Sequence, residues 1–123
     1  MISGRETGVM DIERINPREW NCSAVVHGNV VYLSGIVADD KSLPMKGQTE
    51  QVLRKIDAVL AKAGTDKSRI LSATVYMADA RLKDEMNEAW MAWVDRSNLP
   101  ARAAVGAVLT PGTLVEIMVC AAK

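Results

Sequence analysis

The residue pattern predicts an α+β single domain, a mixed sheet with two helices packed on one face. Two observations carry this reading. The segments 48–63 and 82–95 each repeat apolar residues at helical spacing, and each is too short and one-sided to stand alone. Around them lie short runs of β-branched residues bounded by turn signals, which gives the order β, ββ, α, β, α, ββ. At 123 residues the chain suits one domain with one core.

Taken in order, residues 1–10 read as a flexible N-terminal tail, with the folded domain over 11–123. A short strand is predicted from Asp11 to Ile15, then a turn at Asn16-Pro17-Arg18-Glu19. The runs Ser23 to His27 and Val30 to Ile36 flank Gly28-Asn29. This is a hairpin signal, because a two-residue loop with positive φ angles suits Gly and Asn. A polar loop, Asp39 to Gly47, leads to the first helix, Gln48 to Ala63. Its stripe is Val52, Leu53, Ile56, Val59, Leu60 and Ala63, and Gly64 closes it. Ile70 to Met77 reads as a strand. The second helix, Leu82 to Asp95, carries Met86, Ala89, Trp90, Trp93 and Val94 on one side. Ala103 to Leu109 and Leu114 to Ala121 follow as strands around Thr110-Pro111-Gly112-Thr113.

Alternation in the last strand sends Val115, Ile117, Val119 and Ala121 to one face, the one expected under the helices. Leu114, Glu116, Met118 and Cys120 take the other. That second face is apolar but for one carboxylate, and the chain has no further helix to cover it. Burial against another copy is therefore expected, a homo-oligomer.

Hydrophobic residues make up 49% and charged residues 24%, an ordinary globular balance that excludes disorder. Fifteen basic residues cancel fifteen acidic ones, so no long-range field draws the protein to nucleic acid or an anionic membrane. Cys22 and Cys120 lack metal or redox spacing and read as buried free thiols. The polar start, with Arg5 and Glu6, resembles neither an export signal nor a membrane span, and a cytoplasmic protein is expected.

The candidate chemistry lies near the C-terminus. Arg102, in Pro100-Ala101-Arg102, is expected just outside a strand, and Glu116, in Leu114-Val115-Glu116-Ile117, follows on a neighbouring strand across one turn. A guanidinium grips a carboxylate in bidentate fashion, and a glutamate can take a proton from water. Together they suggest hydrolysis of a small carboxylate-bearing molecule; a structural ion pair is the competing reading. Elsewhere the bland readings prevail. His27 is a solvent-facing turn residue, Trp90 and Trp93 are helix packing, Lys62, Lys67 and Arg69 are a solvated helix end, and Asp39 and Asp40 with Lys41 are loop charges rather than a metal site.

Gly28-Asn29, Tyr32-Leu33-Ser34-Gly35, Gln48-Thr49, Leu60, Ala63-Gly64, Thr74-Val75, Asn87, Pro100-Ala101-Arg102 and Val115-Glu116-Ile117 stand in an order that resembles the RidA/YjgF/UK114 family. The likeness runs from about Asp11 to Ala122. Ile56 to Leu60 and Ala89 to Trp93 are similar to its short, Trp-rich bacterial branch. The resemblance implies a chorismate-mutase-like (ferredoxin-like α/β) fold, a homotrimer with inward-turned sheets, and substrate clefts between subunits. It implies hydrolysis of enamine/imine intermediates such as 2-aminoacrylate and 2-imino acids to 2-keto acids and ammonia, without metal or organic cofactor.

On this chain Arg102 matches the family's carboxylate-binding arginine and Glu116 the glutamate beside the reacting carbon. Gly35 falls where backbone approaches ligand, and Asn87 matches an asparagine at the cleft, or else makes a helix-surface hydrogen bond. Trp20, with Asn21 as competitor, stands near a cleft tyrosine. Ala104 stands where many members carry cysteine, and Ile36 where glutamine is common. A tryptophan accepts no hydrogen bond. The alternative expectation is therefore a non-catalytic trimer that binds or senses small 2-keto acids.

Overall fold

The computed structural model describes residues 11–123, so the tail expected over 1–10 lies outside the described residues. Seven strands and two helices form one layered domain: β1 (Ile12–Ile15), β2 (Ala24–His27), β3 (Val30–Leu33), β4 (Ile36–Val37), α1 (Met45–Lys62), β5 (Ile70–Met77), α2 (Lys83–Trp93), β6 (Ala101–Gly106) and β7 (Val115–Ala122). The strand order is β1-β2-β3-β7-β5-β6, with β4 also paired to β7. All pairings are antiparallel except β5 with β6. Parallel neighbours need a crossover, and α2 supplies it. The helices lie side by side, and Val52, Ile56 and Leu60 of α1 are buried with Val75 of β5 and Val115, Ile117 and Val119 of β7.

Several boundaries differ from the sequence reading. Helix α1 starts at Met45 rather than Gln48, with Pro44 at its N-cap and Gln48 N donating to Pro44 O at 2.9 Å. Gly47 thus belongs to the first turn. The side chain of Leu43 packs against it, 3.2 Å from where a Cβ would stand. At the other end Gly64 takes φ +83°, its N–H bonds Ala61 O, and Thr65 N bonds Leu60 O, which is a Schellman closure. Of the hairpin pair, only Gly28 takes a positive φ, +61°.

The apolar run expected as one strand to Ile36 breaks at Ser34-Gly35. Tyr32 pairs Cys120, yet Ile36 pairs Ile117, so four steps on this strand face three on β7. The extra residue is a bulge. Ser34 Oγ anchors it by donating to Cys22 O at 2.7 Å. Finally, β6 begins at Ala101, so Arg102 is inside the strand rather than outside it. Pro100 has no N–H for the ladder, so the pairing begins after it.

Gln48 is a buried polar knot. Its two Nε2 hydrogens are shared among Lys41 O, Leu43 O and Gly112 O, and its Oε1 accepts from Leu114 N at 2.9 Å. The loop before α1 is thereby tied to the turn that launches β7. On the sheet's far side, Tyr32 (47% exposed), Val105 (42%) and Met118 (41%) stand uncovered, as the alternation in β7 predicts.

Candidate functional site

Arg102 pairs in register with Ala73 of β5, a core residue, so its side chain leaves the sheet on the helix side. There its guanidinium lies over the buried Trp90 ring, 5.0 Å from the centroid, with Nη1 3.8 Å from Met86 Sδ. Desolvation lowers its pKa from the usual arginine value. No acidic side chain pairs with it among the described residues. A half-buried, uncompensated cation is costly, and an anionic ligand would offset that cost.

Arg102 opens into a cavity of roughly 360 Å³, also lined by Asn87, Trp90 and Arg96. Asn87 and Trp90 stand three residues apart on α2, the spacing that puts two side chains on one helical face. The structure therefore brings Arg102 and Asn87 together.

Glu116 faces the other way. It pairs in register with Tyr76 and Val37, between the fully buried Val115 and Ile117. No hydrogen-bond donor reaches its carboxylate among the described residues. The carboxylate lies across Gly35: a Cβ on that glycine would stand 2.1 Å from Glu116 Oε2. Gly35 also borders a second cavity of roughly 280 Å³ together with Trp20, Ser34, Arg18 and Lys55. Trp20 is 85% exposed at its rim.

The two principal side chains are thus not on neighbouring strands, as the sequence suggested. β5 lies between β6 and β7, and the register positions of Arg102 and Glu116, opposite Ala73 and Tyr76, differ by about 10 Å along β5 and about 10 Å across it. They also leave opposite faces of the sheet. One chain holds two separate groupings, Arg102 with Asn87 and Glu116 with Gly35, and Trp20 shares with Gly35 a cavity that Glu116 does not line.

Two contributors were missed in sequence. Trp90 serves the core and the arginine at once, which its three-residue spacing from Asn87 could have signalled. Arg96 had no local signal. The bland assignments are mostly structural: Trp93 packs on Trp90 at 5.5 Å and donates Nε1–H to Asp57 at 2.9 Å, while Lys67 lies over Trp93. His27 is exposed at the end of β2, and the two cysteines are free and half-buried. Among the described residues no group of three or more His, Cys, Asp or Glu is placed to hold a metal, and no helix is long and apolar enough to cross a membrane.

The sequence matches the family model described as Endoribonuclease L-PSP over residues 12–123. It is 45% identical over 112 residues to a RutC family protein of Haemophilus ducreyi, covering 90% of this chain and 96% of that one. It is 40% identical over 114 residues to the RutC family protein YoaB of Escherichia coli, covering 92% and 99%. The fold superposes on a crystal structure of a YjgF family protein from Neisseria meningitidis with TM-score 0.90 and 38% identity, covering 93% and 96%.

Proposed function

The chain belongs to the Endoribonuclease L-PSP (YjgF/Rid) family, and from that premise we propose that it hydrolyses reactive enamine/imine intermediates, 2-aminoacrylate and 2-imino acids, to 2-keto acids and ammonia in the cytoplasm. The observation that carries this reading is Arg102: a half-buried guanidinium with no acidic partner among the described residues, beside Asn87 at the head of a cavity. That is an environment built to take a carboxylate.

The steps follow from the groups available. Arg102 holds the substrate carboxylate and so fixes the adjacent carbon, while the amide of Asn87 offers both a donor and an acceptor. Glu116 positions a water and takes its proton as oxygen bonds to that carbon. The C=N π pair moves to nitrogen, which receives the proton that Glu116 took from water; collapse of the tetrahedral adduct, with Glu116 taking the hydroxyl proton, then forms C=O and expels ammonia. Imines hydrolyse unaided, so a hundredfold acceleration needs only about 2.7 kcal/mol. A carboxylate anchor and a water-activating base, with no cofactor, are sufficient.

Because Arg102 and Glu116 leave opposite faces of one sheet, the complete site is assembled between copies of the chain, in a homotrimer packed through the uncovered face that carries Tyr32, Val105 and Met118. The test is to generate a 2-imino acid in situ and follow its disappearance. Wild-type protein should accelerate loss, and Arg102→Gln should lower kcat/KM about a hundredfold. Equal rates for the two proteins would end this reading.

The separation of the half-sites favours one rival, a trimer that binds 2-keto acids without turnover. Calorimetric binding of pyruvate together with no acceleration of imine loss would establish it. RNA binding would need a steep salt dependence, and balanced net charge gives no long-range field to supply one.

A further inference from the structure

Among the described residues, the cavity at Arg102 is lined by a second guanidinium and by no acid. Arg96 lines it, and Arg96 Nε and Nη2 both donate to Met91 O at 3.3 Å, the carbonyl of the last turn of α2. That leaves Nη1 without a protein partner among the described residues. The acids nearest in sequence are committed elsewhere. Asp95 accepts from Ser97 N at 2.9 Å and Asn98 Nδ2 at 3.1 Å, and Glu88 pairs with Lys46 at 2.7 Å. The rest of the lining is neutral: Asn87, Trp90, Met91, Val94, Leu99 and Pro100.

In a chain whose charges balance, two arginines without an acid in one cavity are a local excess of positive charge. One arginine suffices for one carboxylate. A second, fixed by its bonds to a helix-end carbonyl, is placed for a second anionic group on the same ligand. The apolar wall of Trp90, Met91 and Leu99 suits the methylenes between two such groups.

We infer that Arg96 is a specificity-determining residue and that the cavity prefers four- or five-carbon dicarboxylic 2-imino and 2-keto acids over monocarboxylic ones. This rests on the reading of Arg102 as the carboxylate anchor. Arg102 takes the carboxylate beside the imine carbon, and Arg96 takes the distal one. Arg96 stands on the exposed rim, so its contribution falls as salt rises.

Equilibrium binding tests this without requiring turnover. Titrating the full chain with 2-oxoglutarate and with 2-oxopentanoate, which has the same length but no distal carboxylate, at low ionic strength should give about tenfold tighter binding of the diacid. Arg96→Gln, which keeps a donor for Met91 O, should bring that ratio to about one, Arg96→Lys should keep part of it, and Arg102→Gln should weaken both ligands. A wild-type ratio near one, or a tenfold ratio that survives Arg96→Gln, overturns the inference. So does Arg102→Gln binding both ligands as wild type does, which removes the anchor as well. Diacid preference with no imine hydrolysis would sustain the inference and reject the deaminase.

Discussion

Gly35 and Glu116 are a pair in which one residue exists for the other. The glycine's φ lies outside the left-handed region, so its backbone would accept alanine. What a side chain would meet is the carboxylate lying across it, 2.1 Å from a would-be Cβ. The atom in the way is the end of a flexible side chain, so Gly35→Ala displaces the carboxylate at little structural cost. The expected result is a melting temperature within about 3 °C of wild type and a fall in imine hydrolysis of about tenfold or more. A variant that keeps full rate would remove Glu116 from the water-positioning role. The sequence singled out Arg102 and Glu116 as candidates by their chemistry, and Gly35 and Asn87 through resemblance. Their arrangement it could not carry, because which strand lies between two others is decided by long-range pairing rather than local pattern.

At the scale of elements, β5, both helix stripes and the alternation of β7 were legible because burial imposes period 3.6 on a helix and period 2 on a strand. The reading failed where one interaction outweighs periodicity. Ser34 bonding Cys22 O marks the break of an apolar run into β3 and β4, and Gly47 stands in the first turn of α1, where Leu43 packs into the space a Cβ would take. The placement of β6 beside β5 escaped for a related reason: β6 and β7 are close in sequence, but α2 carries the chain across to a parallel pairing. Gln48 is the element-scale device with most at stake, since the bonds of its buried amide join the entry of α1 to the start of β7. Gln48→Leu keeps the volume but strands Leu114 N–H and the carbonyls of Lys41, Leu43 and Gly112. A loss of about 2–3 kcal/mol is expected in urea unfolding. Because Leu114 lies two residues before Glu116, activity should fall further than the folded fraction does. A loss of stability under about 0.5 kcal/mol would mean that water replaces the amide at no cost.

The whole molecule poses a question that neither smaller scale can answer: how two groups on opposite faces of one sheet would act on one substrate in the proposed reaction. The uncovered face with Tyr32, Val105 and Met118 is the surface through which copies would meet, and a site completed across that contact takes Arg102 from one copy and Glu116 from its neighbour. Chain mixing separates this arrangement from a site within one chain. Arg102→Gln and Glu116→Gln proteins, each close to inactive alone, are unfolded together, refolded at equal concentrations and assayed for imine hydrolysis. If the site spans two copies, about a quarter of the sites in a randomly mixed assembly pair an intact arginine with an intact glutamate, and activity returns to about a quarter of wild type. If both residues act within one chain, no mixture contains an intact site and activity stays at the level of the parents. Met118→Lys, which buries a charge in the same contact, should both dissociate the assembly in sedimentation and abolish the regain, because the desolvation of an unpaired ammonium opposes association.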